Sequence, residues 1–347
     1  MAQINKPDEY FNTKLYTGNG STGQSITGVG FQPDLIWFKN RTSAGYFHEL
    51  YDVIRGVRKP VYSNANNSEG TTTASLESFD SDGFSVDSED ASGEGVNKNG
   101  DNYVAWNWLA SNTTASNTDG SITSTVSANT TSGFSIVSYT GTGANATIGH
   151  GLSAVPKMVI IKDLSAVKDW AVYHASLGNT KYLEINTSDA EGTASNAWNN
   201  TSPTSSVVNL GSRDTLNTSG DNYIAYCFAP KKGFSAMGQY TGNGSTDGTF
   251  VYTGFKPAFL MIKNSSTGST DWTICDSKRD GFNANNYRLF ANTTGAESTS
   301  NPWEMYSNGF KMTTTGSFVN TSGDNFIYMA FAENPLVGTN NIPATAR

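Results

Sequence analysis

The residues able to do chemistry in this sequence are few and scattered. There are three histidines, His48, His150 and His174, and two cysteines, Cys227 and Cys275. No His-x-x-x-His or Cys-x-x-Cys pair occurs, so a zinc set is not expected. No Gly-x-Ser-x-Gly elbow is present either, and neither cysteine belongs to a His/Asn constellation that would make it a nucleophile. The densest acidic stretch holds Asp80, Asp82, Asp87, Glu89, Asp90 and Glu94. Its oxygens would suit calcium, but the spacing is not that of an EF-hand loop, and a solvated hairpin is the favoured reading. A carboxylate pair for glycoside hydrolysis stays open there. The segment from Tyr16 to Gly20 resembles a phosphate loop only superficially, because no Lys-Ser/Thr follows it. No catalytic residue, metal or cofactor is therefore expected. The remaining candidates are Trp198, Asn199 and Trp303, aromatics and an amide in polar surroundings. Such rings stack on sugars, anchor a protein interface or turn inward as core, and the sequence leaves all three open.

The elements that carry these residues come in three copies. Tyr16-Thr-Gly-Asn-Gly20 recurs as Tyr139-Thr-Gly-Thr-Gly143 and Tyr240-Thr-Gly-Asn-Gly244. Each tyrosine is followed after 17 residues by a proline that opens an apolar run: Pro33–Lys39, Pro156–Lys162 and Pro257–Lys263. The equal spacing implies that no insertion has entered this part of the unit. A middle landmark follows, His48–Asp52, Trp170–His174 and Trp272–Asp276, and then Asn64, Asn186 and Asn292. Each unit closes on Gly-Asp-Asn and an alternating aromatic run, at Gly100–Ala110, Gly220–Pro230 and Gly323–Glu333. Asp101, Asp221 and Asp324 within these turns read as caps.

Period-two alternation in the closing run predicts a strand, with Val104, Trp106 and Trp108 on one bulky face. The proline-led runs are apolar on both faces and predict central strands. No amphipathic helix is visible; a short turn around Leu50–Gly56 is the best candidate. The fold class expected is all-β, three tandem antiparallel β-sandwich domains of a jelly-roll or lectin-like kind. The boundaries are 10–110, a Ser/Thr/Asn-rich linker at 111–131, 132–230, 234–333 and an extended C-terminal arm at 334–347. Only Lys231-Lys232-Gly233 joins the last two units, so these are expected to pack rigidly.

Composition narrows the function classes. With 22 Lys and Arg against 30 Asp and Glu and no basic cluster, nucleic acid is not an expected partner. A charged fraction of 15% beside 12% aromatics is the wrong balance for a disordered chain. No apolar run reaches the roughly 20 residues of a membrane helix. The opening MAQINKPDEYF has no apolar core, so a signal peptide is not expected.

Taken together, the segments Tyr16–Arg41, Gly133–Leu152, Val155–Lys162, Tyr252–Asn264, Ser307–Met312, Phe326–Pro335 and the ending Ile342–Arg347 resemble a family of structural proteins of tailed bacteriophages, frequent in marine phages. The resemblance covers the whole chain. It implies a virion component, commonly labelled tail fibre or structural protein, and brings no catalytic residues. The absence of a shaft-like repeat favours a compact appendage over an elongated fibre. The function expected is thus a non-enzymatic, tail-associated surface appendage for host adhesion. Capsid decoration is the first alternative and a glycan-degrading tailspike the second. Expected partners are other virion proteins, a host surface glycan or receptor, and further copies of the chain, with a trimer suited to tail use.

Overall fold

The computed structural model describes residues 3–333 apart from 74, 89–94, 280–282 and 284. The arm expected at 334–347 lies outside the described residues. The chain is all-β, with antiparallel pairing throughout its sheets. Among the described residues the only α-helix is the single turn Asp214–Asn217. The segment expected to form a helical turn at Leu50–Gly56 instead begins inside a strand, His48–Asp52. Leu50 and Tyr51 there alternate between two buried faces, which is strand spacing.

Each unit is built on the same four strands. The opening strand is Phe11–Thr17, Phe134–Thr140 or Ser235–Thr241. It pairs with the closing strand, Asn102–Trp108, Asn222–Phe228 or Asn325–Phe331, in one register: Tyr16 faces Tyr103, Tyr139 faces Tyr223 and Tyr240 faces Phe326. The closing strand pairs in turn with the proline-led strand, Leu35–Asn40, Met158–Asp163 or Phe259–Asn264. The landmark strand, His48–Asp52, Ala171–His174 or Thr273–Asp276, completes the order. The proline-led strands are buried along their whole length, as their two-sided apolar pattern predicts. Proline stands just before each, where its missing N–H costs no ladder bond.

One face of each four-stranded core packs within its own unit. In the first unit it meets a three-stranded sheet, Gln24–Thr27, Gly83–Val86 and Leu76–Asp80, through Ile36, Phe38, Ala105, Ile26 and Phe84. In the second the covering strands are Ala146–Gly149 and Val207–Leu210. In the third the sheet runs on through eight strands and curls over itself, ending on the edge strand Phe250–Tyr252. The Ser/Thr/Asn-rich stretch read as a linker holds two strands, Ala115–Asn117 and Ser124–Asn129, which extend the second unit's sheet. Its alternating small residues satisfy a sheet edge, so composition alone suggested more freedom than the backbone has.

The bulky face does something else. Trp37, Trp106, Trp108, Ile160, Tyr226, Phe228, Phe259, Met329 and Phe331 belong to one cluster drawn from all three units. Phe11 of the first unit stacks on Phe331 of the third, with ring centroids 5.3 Å apart, and Phe228 of the second meets Phe331 at 5.8 Å. At the middle of this shared core the void lined by Trp37, Trp108, Trp170, Tyr226 and Met329 measures only about 10 Å³. Packing is therefore close to solid.

A single unit thus leaves one large aromatic face without cover. Expressed alone, residues 6–111 should bind a hydrophobic dye and lack a cooperative unfolding transition by circular dichroism. A sharp two-state transition from that fragment would contradict the dependence of each unit on its neighbours.

Candidate functional site

The structure places the aromatic candidates inside the protein. Trp198 is 1% and Trp303 0% exposed, so neither indole offers a face to a sugar or a partner. Trp198 donates Nε1–H to the Lys181 carbonyl at 2.9 Å and meets Tyr173 edge-on. Trp303 joins the third unit's inner cluster with Met312 and Phe310. Asn199 is exposed in a left-handed turn, φ 51°, where its Oδ1 accepts from Asn145. The polar neighbours that suggested a surface position are turn residues; the rings themselves point inward. Reading these tryptophans as a binding platform is therefore corrected.

The acidic stretch is similarly occupied where it is described. Asp80 accepts from Ser78 and Ser85, Asp82 accepts from the Gly28 and Gly30 amides, and Asp87 pairs with Arg58. Glu89, Asp90 and Glu94 lie outside the described residues. All three histidines are fully buried. Burial holds His174 down at about 4 and lowers His48 and His150 as well, so each stays neutral at pH 7. Among the described residues no three His, Cys, Asp or Glu side chains converge as a metal set. Both cysteines are buried and free.

The buried polar groups instead form a ring of contacts between units. Lys39, Lys162 and Lys263 are the penultimate residues of the three proline-led strands and point into the shared core, each at most 1% exposed. Lys39 donates to the Tyr46 carbonyl of its own unit and to Thr294 of the third. Lys162 donates to Lys168 at 2.7 Å and to Asn66 of the first unit at 3.2 Å. Lys263 donates to Thr270 at 2.6 Å and to Ser188 of the second unit at 3.1 Å. The accepting carbonyls lie two residues after the landmark asparagines Asn64, Asn186 and Asn292. Those asparagines cap the start of their own landmark strands, accepting from the His48, Trp170 and Trp272 amides.

Two residues before each asparagine a second carbonyl receives the neighbouring unit. Trp170 donates Nε1–H to Tyr62 at 2.9 Å and Trp272 donates to Glu184 at 3.1 Å. In the first unit His48 stands where the others have tryptophan, and its Nδ1 accepts from Trp37 Nε1 at 2.9 Å. The third unit's Phe290 carbonyl faces its ring. The first unit's loop thus docks on the second, the second's on the third, and the third's on the first. Two buried ion pairs stand beside this ring. Asp52–Arg55, closed at 2.6 Å, takes a hydrogen bond from Tyr226 of the second unit. Asp276–Arg279, also at 2.6 Å, takes one from Trp106 of the first. In the second unit His174 holds the equivalent place and turns Nε2 to the Tyr328 carbonyl of the third.

One recurring set escaped sequence reasoning. Asn97, Asn217 and Asn320 are buried, and each accepts from the amide of the residue after the first glycine of the opening motif, Asn19, Thr142 and Asn243. Each also donates to backbone carbonyls, such as Asp87, Gly211 and Thr314. The signal was available: the Gly-Asp-Asn turns extend backward to Val96-Asn97, Leu216-Asn217 and Val319-Asn320. Beside them Tyr16, Tyr139 and Tyr240 donate their hydroxyls to the carbonyls of Val96, Leu216 and Val319.

What is left on the surface is an aromatic ridge on the third unit. The edge strand Phe250–Tyr252 pairs Phe250 with Lys311 and Tyr252 with Gly309, and the next strand sets Glu304 and Tyr306 in line with them. Val251, Phe310 and Met305 point inward, so the alternation turns Phe250 and Tyr252 out, 46% and 69% exposed. Phe250 meets Tyr306 edge-on at 6.0 Å. Gly309 makes that approach possible, since a Cβ there would lie 3.0 Å from the Phe250 ring and 2.1 Å from the Val251 carbonyl. Lys311 is paired with Asp247, and the Glu304 carboxylate accepts from the Tyr306 hydroxyl. By strand register the same places hold Ser25 and Thr27 in the first unit and Thr147 and Gly149 in the second. That register also corrects the reading that no insertion entered the opening segment. From Tyr16 to Thr27 is 11 residues and from Tyr240 to Tyr252 is 12, and one residue fewer then leads to the proline. A gain and a loss cancel within the constant spacing of 17.

Fold and surface together define an all-β protein of three sandwich units closed around one core, with an exposed aromatic ridge on the third. Residues 6–335 match a family model described as a domain of unknown function, DUF7483, and the chain belongs to that family. No curated protein matches the chain.

The three buried ammonium groups make stability depend on pH in a stated direction. Burial lowers each lysine to about 8 from an ordinary value of 10.5. Between those values the unfolded chain binds more protons than the folded one, so stability rises as pH climbs from about 8 toward 10. Above pH 10 the trend reverses, because buried Tyr139 and Tyr240 and half-buried Tyr16 resist ionisation that the unfolded chain undergoes. Urea unfolding across pH 7–11 checks this, and Lys162→Met should remove about a third of the rise. A flat profile from pH 8 to 10 would show that the lysines carry no such penalty.

Proposed function

We propose that this protein is a non-enzymatic structural component of a tailed-phage particle, a compact appendage at the tail that attaches to the host surface. Its resemblance to phage structural proteins supports the virion assignment. The observation that carries the adhesive role is the aromatic ridge. Three units share one plan, and the two positions that plan leaves free at the sheet edge are small in the first two units and aromatic in the third. Phe250 and Tyr252 contribute nothing to the inner core, which Val251 already fills. Exposed aromatics of this kind supply contact area at low entropic cost and are enriched where proteins bind partners. Edge strands are usually blunted by charge or by short length, and this one is short but aromatic.

The non-enzymatic reading draws support from the fate of the polar groups. The described acids of the 80–94 stretch are spent on turn amides, hydroxyls and one arginine, the buried lysines and His174 on contacts between units, and His150 on contacts within the second unit. A rigid, interlocked body also suits a particle component that must survive outside a cell.

Phe250→Ser with Tyr252→Thr, which installs the first unit's residues, should leave the melting temperature within about 1 °C, because surface substitutions of this kind are nearly neutral. The same double variant should lose at least tenfold in binding to host cells, measured with labelled protein. Unchanged binding would remove the ridge from the adhesive surface. Immunogold labelling of intact particles tests location: label on the tail supports the reading, and label on tail-less capsids at high copy would replace it with capsid decoration.

A further inference from the structure

The repeat supplies an internal control for one polar contact, and the second unit breaks it. Asn40 and Asn264 end their proline-led strands on the face toward their own unit. Each uses Oδ1 to accept from two backbone amides, Thr42 and Ser43 in the first unit and Ser266 and Thr267 in the third. Each uses Nδ2 to donate to the aspartate of the Gly-Asp-Asn turn, Asp101 and Asp324, at 2.8 Å in both units. This donor ties the strand end to the turn.

In the second unit the residue is Asp163. Its Oδ1 keeps the two amides, from Ser165 and Ala166 at 2.8 and 3.0 Å. Its Oδ2 takes the place of the amide nitrogen, yet the turn still presents a carboxylate, Asp221. Two acceptors now meet where the other units have donor and acceptor. Asp163 is fully buried and its Oδ2 has no hydrogen-bond partner. Asp221 lies within hydrogen-bonding reach of it, and burial and the neighbouring carboxylate raise its pKa. The Tyr223 hydroxyl also lies within hydrogen-bonding reach of Asp163, but it is turned to the Asp214 carbonyl at 3.1 Å and accepts from the Thr218 amide at 2.8 Å. The nearest ammonium on this side, Lys168, is closed on the Asp214 carboxylate at 2.5 Å. Lys162 points into the shared core, bound to its two carbonyls.

We propose that a calcium ion bridges Asp163 Oδ2 and Asp221 and restores in the second unit the strand-to-turn tie that an asparagine makes in the other two. A hard divalent cation is the species that two facing carboxylate oxygens recognise. Asp221 is only partly buried, so water completes the coordination shell from the outer side. Calcium fits better than magnesium, which demands near-ideal octahedral geometry that one fixed and one turn-borne carboxylate do not impose. Two protein carboxylates place the affinity in the weak range, about 10⁻⁴–10⁻³ M.

The test compares the wild-type chain with Asp163→Asn, a substitution that the first and third units already accept. Melting is followed at pH 7.5 in EDTA and in 10 mM CaCl₂, and terbium luminescence excited through nearby tyrosine reports occupancy directly. Calcium should raise the wild-type melting temperature by about 2 °C in a saturable way, with magnesium weaker. Asp163→Asn should match or exceed the wild type in EDTA and ignore calcium. Terbium emission should appear in the wild type, fall as calcium is added, and be absent from the variant. A calcium shift that persists in Asp163→Asn would overturn the site. So would a wild type indifferent to calcium, and if acidification then stabilises it and not the variant, the carboxylates share a proton and not a metal.

Discussion

Each four-stranded sheet in this protein is apolar on both faces, and a unit has enough chain to cover only one. Everything else in the structure follows from where the second face goes. In the first unit that face carries Leu35, Trp37, Val104, Trp106 and Trp108, a surface far too large to leave in water. Three units solve the problem jointly by turning their bulky faces toward one another. The proteins' usual remedy, a second sheet on each side, is replaced by symmetry within one chain.

A core assembled from three similar faces has an edge problem, because backbone and side-chain polar groups at its rim must still be satisfied. The landmark loops meet this need. Each asparagine loop gives its neighbour one carbonyl two residues before the asparagine and another two residues after it, and the neighbour answers with an indole and an ammonium in two units. A lysine suits this place because its long stem packs in the core while its head reaches two carbonyls, one from each side of the boundary. Burying an ammonium is unfavourable, and three of them make registry matter: a slipped unit would strand a charge among apolar side chains. The ring therefore specifies how the units dock as much as it stabilises them.

The copies differ where this shared duty allows. His48 replaces a tryptophan, His174 replaces an aspartate that elsewhere pairs with an arginine, and Asp163 replaces an asparagine. Phe250 and Tyr252 replace small residues at a sheet edge. The second change keeps a bond across a unit boundary, from the His174 ring to the Tyr328 carbonyl, and the first turns the His48 ring to the neighbouring Phe290 carbonyl. The last two change what the protein presents to its surroundings or to an ion, which is why function is sought there and not among the repeated residues.

Much of the fold was legible in the sequence, because its signals are local. Period-two alternation and proline-led apolar runs determine strands, and threefold recurrence determines that one plan is used three times. The Asn64, Asn186 and Asn292 positions were visible as landmarks, and Asn97, Asn217 and Asn320 were equally visible but overlooked. The site was less legible. Trp198 and Trp303 looked exposed because their neighbours are polar, yet the turn around Trp198 and the strand Ser298–Tyr306 around Trp303 both send the ring inward. Phe250 and Tyr252 drew no attention because only the register with Gly309 and Lys311 shows which way they point. The sequence by itself determined the strands, the repeat and the absence of any local catalytic motif. Only the tertiary structure decided that the bulky faces meet in one core, that the lysines end inside it, and that one edge is aromatic. Those outcomes depend on contacts between residues far apart in the chain, 75 positions for Lys263 and Ser188 and 255 for Lys39 and Thr294, which no local pattern records.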